Sequence, residues 1–263
     1  MTGLLDGRVA IVSGIGPGMG RDISLQLAEH GACVVAGART EANVGALVDE
    51  LKAEGREALG VQLDITDEAS CAAAVAAALD RFGHVDVLVN NAFDDGDHRS
   101  FTSADLDNWR RTMETNFFGT LQLIRAVVPA MRERGEGRIV NINSMSAVKV
   151  EPRYGAYAAS KSALATITKT LALELGSFGI RVNAVHPGYI WSEKLQMYFQ
   201  YLADKNGISY DEQLDSIVST TALGYLPHSS EIAGAVVFLA SDLAKPITGQ
   251  AIHVNCGHHF GGF

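Results

Sequence analysis

Residues 9–20 read Val9-Ala-Ile-Val-Ser13-Gly14-Ile-Gly16-Pro-Gly18-Met19-Gly20, and this segment specifies the architecture of the chain. Five residues suited to a buried strand lead into four glycines, and helical spacing of apolar residues follows from Met19. Glycines permit a tight turn and let backbone N–H groups approach a phosphate at a helix N-terminus. The strand–loop–helix order therefore predicts an α/β unit with a dinucleotide-binding loop.

The same alternation of apolar runs and amphipathic stretches continues along the chain. Further strands are predicted at 33–37, 58–64, 85–90, 138–144, 181–186 and 251–254. Helices are predicted at 19–30, 41–54, 67–82, 103–134 (interrupted near 116–119), 154–178 and 230–240. Apolar strands separated by helices indicate a parallel sheet covered on both faces. We therefore expect an α/β fold: one doubly wound Rossmann-type domain spanning residues 1–263, with a mostly parallel seven-stranded sheet.

Polar residues and glycines occur at six of the seven predicted strand ends. In open α/β sheets, ligands bind beyond the carboxyl ends of the strands. The residues at these ends are the glycines after the first strand, Arg39, Asp64, Asn90-Asn91-Ala92, Ser144 and Pro187-Gly188. We expect them to converge on one edge of the sheet and to form a binding site there.

Tyr157 and Lys161 are four residues apart on a predicted helix, so their side chains share one face. A phenol with a pKa near 10 exchanges protons poorly at neutral pH. The neighbouring ammonium is predicted to lower that pKa towards a value useful for acid–base catalysis. Ser144, at a strand end, can hydrogen-bond the same substrate oxygen, so the three side chains predict a carbonyl/alcohol site. Taken alone, a Tyr-x-x-x-Lys pair is more often a packed ring with a solvated amine.

The end of the second strand bears on the choice of cofactor. An acidic residue there would bind the ribose hydroxyls of NAD. The segment 37–40 has no carboxylate, and Arg39 can pair with a 2′-phosphate, so NADP(H) is the predicted cofactor and NAD(H) the alternative. Arg39 as a solvated residue, or one stacked on adenine, is the competing interpretation. Asp64 is expected either to accept a hydrogen bond from adenine, with Ile65 beside it, or to serve as a helix cap.

With these residues assembled, the chain resembles the short-chain dehydrogenase/reductase family over essentially its full length. Any one of the motifs is weak evidence, whereas their order and spacing together are specific. The motifs are Gly14-x3-Gly18-x-Gly20, Asn90-Asn91-Ala92, Asn116-Phe-Phe-Gly119, Ser144, Tyr157-x3-Lys161, Pro187-Gly188 and the segment 248–255.

The resemblance implies a catalytic set of four residues. Tyr157 would give its proton to a carbonyl or take one from an alcohol, and Lys161 would lower the phenol pKa and hold the nicotinamide ribose. Ser144 would orient the substrate oxygen, and Asn116 would support a water relay from Lys161. The implied cofactor-binding residues are Ser13, Gly14, Gly18, Met19, Gly20, Arg39, Asp64, Ile65, Asn91, Ala92, Tyr157, Lys161, Pro187, Gly188 and Ile190.

Three departures from the family pattern lie near the expected site. Phe93 replaces the glycine that commonly follows Asn-Asn-Ala, which predicts a bulkier floor beside the nicotinamide. Pro17 stands where some NADP-using relatives carry a basic residue. Trp191 and Ser192 alter the segment after Pro-Gly, where a threonine often meets the carboxamide. None of these changes removes a reacting group.

Residues 189–226 form the longest stretch without a confidently predicted strand, and they are rich in bulky side chains. We expect a mobile helical lid over the substrate, with a subunit contact or ordinary core as the alternative. The segment 94–100 is expected to form the opposite wall, its charges mostly solvated. The residues expected to line the substrate are Ser144, Tyr154, Tyr189, Trp191 and Met197.

Composition excludes several classes of function. A formal net charge of −9 without a basic run argues against nucleic acid as a partner. Membrane spans are not expected, because no apolar run reaches about 18 residues. Three scattered cysteines lack metal-ligand spacing, His258 and His259 are read as tail, and no metal is expected. Cysteine usage and the absence of signal-peptide features predict a cytoplasmic protein.

The leading functional hypothesis is an oxidoreductase that transfers a hydride between NADP(H) and a fairly hydrophobic secondary alcohol/ketone. The alternatives are a 3-oxoacyl-carrier or acyl-thioester ketoreductase, and a non-catalytic nucleotide-sensing binding protein. A sugar-nucleotide epimerase fits less well, because its glycine spacing differs and it needs a larger C-terminal region. Long apolar helices at 121–131 and 157–175 predict a homo-dimer or homo-tetramer.

Overall fold

The computed structural model describes residues 3–261, and these contain a seven-stranded sheet in the order β3-β2-β1-β4-β5-β6-β7. Each neighbouring pair of strands is parallel. The strands are β1 (Val9–Ser13), β2 (Cys33–Ala38), β3 (Ala58–Gln62), β4 (Val87–Asn90), β5 (Gly137–Ile142), β6 (Ile180–Pro187) and β7 (Ala251–Val254). The strand order reverses between β1 and β4, which is where such sheets bind ligands. The predicted doubly wound α/β fold is confirmed.

Helices cover both faces of this sheet. They are α1 (Met19–Glu29), α2 (Glu41–Ala53), α3 (Glu68–Phe82), α4 (Leu106–Met113), α5 (Thr120–Arg134), α6 (Gly155–Leu175), α7 (Glu193–Asn206), α8 (Tyr210–Val218) and α9 (Ser229–Ala240). Helices α1, α2 and α9 pack on one face, and α3, α5 and α6 pack on the other.

The strands owe their rigidity to burial on both faces. Along β1, Ala10 and Val12 face one apolar core, whereas Val9 and Ile11 face the other. Fully burying an aliphatic side chain contributes about 1.5–3 kcal/mol. Residues at the carboxyl ends of the strands are therefore held in place by two cores.

The long helix predicted at 103–134 is divided by a π-helical segment, Glu114–Gly119, which joins α4 to α5. The predicted interruption thus has a definite structure, and such π segments occur frequently at functional sites. Gly119 is required there, because a Cβ atom would lie 2.9 Å from a side-chain carbon of Ile65. The predicted start is wrong: α4 begins at Leu106, where Asp105 accepts a hydrogen bond from the backbone N–H of Asp107.

Two strands end earlier than the sequence predicts. β3 ends at Gln62 and β5 at Ile142, whereas the predicted ends were residues 64 and 144. Asp64 and Ser144 do not pair within the sheet because the side chain of each stabilises a turn. Asp64 Oδ1 accepts a hydrogen bond from the backbone N–H of Thr66, and Ser144 Oγ accepts one from the backbone N–H of Ser146. Both polar side chains are therefore presented at the carboxyl edge of the sheet.

The expected lid region contains α7 and α8. Ser192 caps α7 by accepting a hydrogen bond from the backbone N–H of Leu195 at 3.2 Å. Gly207, in a left-handed conformation with φ 67°, ends α7. Ser209 and Glu212 form a reciprocal capping box that starts α8. Local sequence signals thus set the helix boundaries in this region.

Candidate active site

Ser144, Tyr157 and Lys161 converge where β5 ends and α6 begins. The Ser144 hydroxyl lies close enough to the Tyr157 phenol to favour its charged form. Lys161 Nζ donates a 2.9 Å hydrogen bond to the backbone carbonyl of Ile142, and it lies 5.6 Å from the centroid of the Tyr157 ring. The structure thus brings together a proton donor, a second hydroxyl and a cation.

Burial controls the titration of both Tyr157 and Lys161. Desolvation raises the pKa of Tyr157 to about 12, although the hydrogen bond with Ser144 acts in the opposite direction. Desolvation also lowers the pKa of Lys161 to about 7. The predicted lowering of the phenol pKa by Lys161 is therefore wrong for the protein alone, because the low-dielectric surroundings penalise each charged form. Tyr157 consequently carries its proton at neutral pH.

Asn116 fixes the position of α6. Its Nδ2 donates to Ser160 Oγ at 2.9 Å, and Ser160 Oγ donates to the backbone carbonyl of Tyr157 at 2.7 Å. The same amide accepts from the backbone N–H of Asp94 at 2.7 Å and donates to its carbonyl at 2.8 Å. This fully buried side chain is occupied by three hydrogen bonds, two to the backbone of Asp94 and one to Ser160, so it acts as a positioning residue. A water relay from Lys161 through Asn116 stays a prediction.

The glycine-rich loop fits a dinucleotide pyrophosphate. A Cβ atom on Gly14, whose φ is 79°, would lie 2.5 Å from the backbone of Ala92, and one on Gly20 would lie 2.4 Å from the carbonyl oxygen of Gly14. Gly16 and Gly18 instead face open space, with nothing within 4 Å of a Cβ atom. Helix α1 begins directly after Gly18 and has no side-chain cap. Its N-terminal N–H groups can therefore bind an anion.

Ser13 holds this loop against the end of β4. The backbone N–H groups of Asn91 and Ala92 donate to Ser13 Oγ at 3.2 and 3.4 Å. Asn91 Nδ2 donates to the carbonyl of Gly14 at 2.8 Å. Because Ser13 is 1% exposed, we assign it to shaping the loop and not to direct cofactor contact.

Arg39, Asp64 and Ile65, the residues expected beside the adenosine part of the cofactor, lie in different surroundings. Arg39 is exposed just beyond β2. Burial would raise the pKa of Asp64, but hydrogen bonds from Thr66 and the charge of Arg39 outweigh it and lower that pKa. Ile65 is 5% exposed and packs into the core. Asp67, not Asp64, caps α3 by accepting from the backbone N–H of Ala69.

The residues expected beside the nicotinamide lie at the end of β6 and directly after it. Pro187 ends β6, and a Cβ atom on Gly188 would lie 2.8 Å from Cβ of Asn255. Met19 and Ile190 pack against the same apolar core. The loop after β1 and the loop after β6 are therefore both anchored to that core. The predicted cofactor residues thus follow one edge of the sheet from β3 to β6.

A cavity of about 590 Å³ adjoins Tyr157. Its volume suits a small organic ligand. Ser144, Tyr154 and Tyr189, all predicted to line the substrate, lie in its wall. The complete lining is Phe93, Asp95, His98, Ser144, Met145, Ser146, Glu151, Pro152, Arg153, Tyr154, Tyr157, Gly188, Tyr189, Ile190, Ser192, Lys194, Leu195, Tyr198, Tyr201, Leu202 and Lys205.

Trp191 and Met197 do not line this cavity, so the prediction was wrong for both. Helical phase explains Met197: α7 presents Leu195, Tyr198 and Leu202 to the cavity, and Met197 is 68% exposed. The backbone N–H of Trp191 donates to the carbonyl of Pro227 at 2.8 Å.

Three aromatic side chains at or beside the cavity make contacts that were not predicted, although Phe93 was expected beside the nicotinamide and the segment 94–100 was expected to form a wall. The Phe93 ring meets the Tyr157 ring edge-on at 6.4 Å between centroids, and the His98 ring meets the Tyr154 ring at 4.5 Å. His258, which was read as tail, stacks on Tyr189 at 5.5 Å. The departure from family pattern at Phe93 was a usable signal, whereas nothing local indicated the two histidine contacts.

An ion pair joins the start of α7 to the segment that follows β4, across the cavity. Lys194 Nζ, at the start of α7, donates to Asp95 Oδ2 at 2.6 Å. Hydrogen bonds from His98 and Lys194 hold the pKa of Asp95 well below its ordinary value, although burial opposes them. Asp95 therefore remains ionised at neutral pH, and its charge is satisfied by these two partners.

Two kinds of feature are absent from residues 3–261, the part of the chain that the structure describes. No helix in it is both long enough and apolar enough to cross a membrane. No group of three or more His, Cys, Asp or Glu side chains in it could hold a metal ion.

Comparison with known proteins shows the family of the chain. A family model described as enoyl-(acyl carrier protein) reductase matches residues 14–259. The chain is 37% identical to the 3-oxoacyl-(acyl-carrier-protein) reductase FabG of Escherichia coli (strain K12), covering 96% of this chain and 97% of FabG. It is 40% identical to trans-4-hydroxycyclohexanecarboxylate dehydrogenase of Sinomonas cyclohexanicum, covering 97% of this chain and 93% of that enzyme.

A solved structure agrees with these matches. A crystal structure of an actinorhodin polyketide ketoreductase variant with NADPH superposes with a TM-score of 0.88 at 35% identity, covering 98% of each chain. The match extends over the sheet, the glycine-rich loop and the region of α7 and α8. The chain belongs to the short-chain dehydrogenase/reductase family, and it is an NAD(P)-dependent ketone/alcohol oxidoreductase.

Proposed function

We propose that the enzyme uses NADP(H) to interconvert a hydrophobic cyclic ketone and its secondary alcohol. The observation that carries the proposal is the protonated Tyr157, paired with Ser144, at a cavity with aromatic walls. Tyr154, Tyr189 and Tyr198 supply flat apolar faces, which suit a ring better than a flexible chain. A cyclic substrate is also named for the relative from Sinomonas cyclohexanicum.

The side chains of this protein account for proton transfer in the proposed reaction. Ser144 and Tyr157 donate hydrogen bonds to the ketone oxygen, and Tyr157 releases its proton as negative charge develops on that oxygen. Lys161 stabilises the phenolate that results. NADP(H), when bound, supplies or accepts the hydride. In the opposite direction, the phenolate takes the proton of the alcohol.

Reduction of a 3-oxoacyl thioester is the second candidate, favoured by the 37% identity to FabG. The two candidates are separated by NADPH consumption with cyclohexanone, α-tetralone and an acetoacetyl thioester of N-acetylcysteamine. The cyclic proposal expects kcat/KM for a ring ketone to exceed that for the thioester by about tenfold, equivalent to about 1.4 kcal/mol. The reverse ranking would favour the acyl substrate, and no turnover with any ketone would contradict both.

Arg39 is proposed to select NADP(H) over NAD(H). A hydrogen bond to a charged group contributes about 1.5–3 kcal/mol, so Arg39→Ser should raise the KM for NADPH about 10- to 100-fold. The KM for NADH should change by less than about threefold, because NADH has no 2′-phosphate. Arg39→Lys keeps the charge and serves as the control. Equal losses for both cofactors would contradict this role.

A second copy of the chain is proposed to cover an apolar groove between α5 and α6. Phe118, Leu121, Val128, Ile167 and Leu171 line the groove, and Phe118 is 48% exposed. Phe118→Glu should therefore shift the protein towards monomer on size-exclusion chromatography. Leu243→Glu, at an exposed apolar residue outside the groove, is the matched control. A wild-type monomer would contradict the proposal.

A further inference from the structure

Five charged side chains line the substrate cavity, and two of the cations among them lack an ion-pair partner within residues 3–261. Lys194 is paired with Asp95 at 2.6 Å. Glu151 accepts a hydrogen bond from the Tyr189 hydroxyl at 3.4 Å. Arg153 and Lys205 are the remaining cations of the lining. These two have no carboxylate partner in the described chain.

The sign of this local charge is opposite to that of the whole protein. Three cations and two carboxylates in the lining leave one positive charge, whereas the chain as a whole carries −9. A cleft with low-dielectric walls focuses the field of its charges and concentrates ligands of opposite sign. The cavity therefore favours an anionic ligand despite the acidity of the protein.

Arg153 is held in the cavity wall in an unfavourable backbone conformation. Its φ is 73°, in the left-handed region. His98 and Cys256 are the other non-glycine residues with positive φ in the described chain, and His98 also lines this cavity. For a residue with a Cβ atom this conformation is sterically unfavourable. Such strain persists only where the surroundings impose it, and it clusters at ligand sites.

Contacts of neighbouring residues keep Arg153 at this position. Tyr154 follows it directly, and the Tyr154 ring packs edge-on against His98 at 4.5 Å. Glu151, two residues earlier, hydrogen-bonds Tyr189. Both contacts join the segment 151–154 to other parts of the cavity wall. The guanidinium is thus carried by an anchored segment, in the same cavity as the Tyr157 phenol.

We propose that Arg153, assisted by Lys205, binds an anionic group on the substrate at a point away from the reacting ketone. The inference rests on the proposed ketone reduction and adds a substrate class to it: a ketone that also carries a carboxylate or phosphate. Arginine suits this role because its planar guanidinium can form two parallel hydrogen bonds with either group. Lys205, on α7, adds a second positive charge from the lid.

The test compares two ketones that differ only in charge, 4-oxocyclohexanecarboxylate and its methyl ester, each assayed with NADPH. Arg153→Asn removes the charge while tolerating a left-handed backbone, and Arg153→Lys retains the charge. We expect Arg153→Asn to raise the KM for the carboxylate about 10- to 100-fold and the KM for the ester less than about twofold. Arg153→Lys should restore most of the affinity. Lys245→Asn, outside the cavity, controls for net charge and should change neither KM.

A second pair of substrates separates the two sources of negative charge. Acetoacetyl-coenzyme A carries phosphates, whereas the acetoacetyl thioester of N-acetylcysteamine is neutral. If Arg153→Asn raises the KM only for the coenzyme A thioester, the proposal is supported and phosphate is the group that Arg153 recognises. If Arg153→Asn raises the KM only for 4-oxocyclohexanecarboxylate, the proposal is supported and carboxylate is the group that Arg153 recognises. Equal effects of Arg153→Asn on charged and neutral members of both pairs would overturn it.

Direct binding distinguishes failure of this proposal from failure of the proposed reaction. Calorimetric titration of 4-oxocyclohexanecarboxylate into the NADP⁺ complex requires no turnover. Weaker binding to Arg153→Asn than to wild type would support anion recognition even if no ketone were reduced. Equal binding to the two proteins would overturn it, whatever the activity with neutral ketones.

Discussion

Replacing Tyr157 with phenylalanine is expected to lower kcat/KM for ketone reduction by about 10³-fold. General acid catalysis by a positioned side chain contributes about 10²–10⁴-fold. The phenol has a pKa raised to about 12, so it holds the proton to be transferred throughout the neutral range. Phenylalanine preserves the ring and its edge contact with Phe93, and it removes only the hydroxyl. The measurement is NADPH consumption at saturating cofactor.

Tyr154→Phe is the matched control for this experiment. Tyr154 lines the same cavity but has Ala158, not a lysine, four residues later. Its removal should alter KM by only a few-fold, equivalent to about 1 kcal/mol or less. NADPH binding, followed by fluorescence, should be retained in both variants. Equal rates for wild type and Tyr157→Phe would remove Tyr157 from the mechanism.

Lys161→Met is expected to change activity and stability in opposite directions. The ammonium lies 5.6 Å from the centroid of the Tyr157 ring. At an effective dielectric constant of about 20, a charge pair at this distance is worth about 3 kcal/mol. Without Lys161, the phenolate formed during proton transfer loses this stabilisation. The value of kcat/KM should therefore fall about 10²-fold.

Stability should rise because Lys161 is only 2% exposed and its pKa falls from 10.5 to about 7 through desolvation. Between these two pH values the unfolded chain binds more protons than the folded one, so wild-type stability increases with pH across that window. The cost of the buried ammonium has its full size below about pH 7, falls as the pH rises, and disappears above 10.5. At about 1.4 kcal/mol per unit of pKa shift, we expect Lys161→Met to be about 2–5 kcal/mol more stable near pH 7.

Urea unfolding near neutral pH and at about pH 9.5 measures this effect, and the advantage of the variant should shrink at the higher pH. Lys169→Met, at an exposed position on the same helix, should show no comparable gain. A variant less stable than wild type at neutral pH would contradict the idea that Lys161 is retained at a cost to stability.

The sequence was sufficient for the fold because its signals are local and repeated. Strand-length apolar runs such as Val9–Ser13 require burial on both faces, and the glycines that follow permit a turn that other residues would strain. The interruption near Asn116 and the capping residues of the helices are similarly short-range. The order of the motifs then indicated the family, which the relatives and the solved structure confirm.

Tertiary structure decided the electrostatics of the site. Spacing placed Lys161 beside Tyr157, but the pKa of each depends on how much of the protein surrounds it. Burial moves the two pKa values in the opposite sense to the one that pairing predicts. Desolvation depends on atoms contributed by β5, α6 and the segment after β4, and no local pattern reports their combined packing.

Tertiary structure also decided which side chains face the substrate. Within α7, helical phase sets Tyr198 towards the cavity and Met197 away from it, and that phase is fixed only when the helix docks. Arg153 lies in the cavity wall with a left-handed backbone conformation, which is unfavourable for arginine. Side-chain periodicity and motif order are encoded along the chain, whereas burial, docking phase and imposed strain arise only when distant segments pack together.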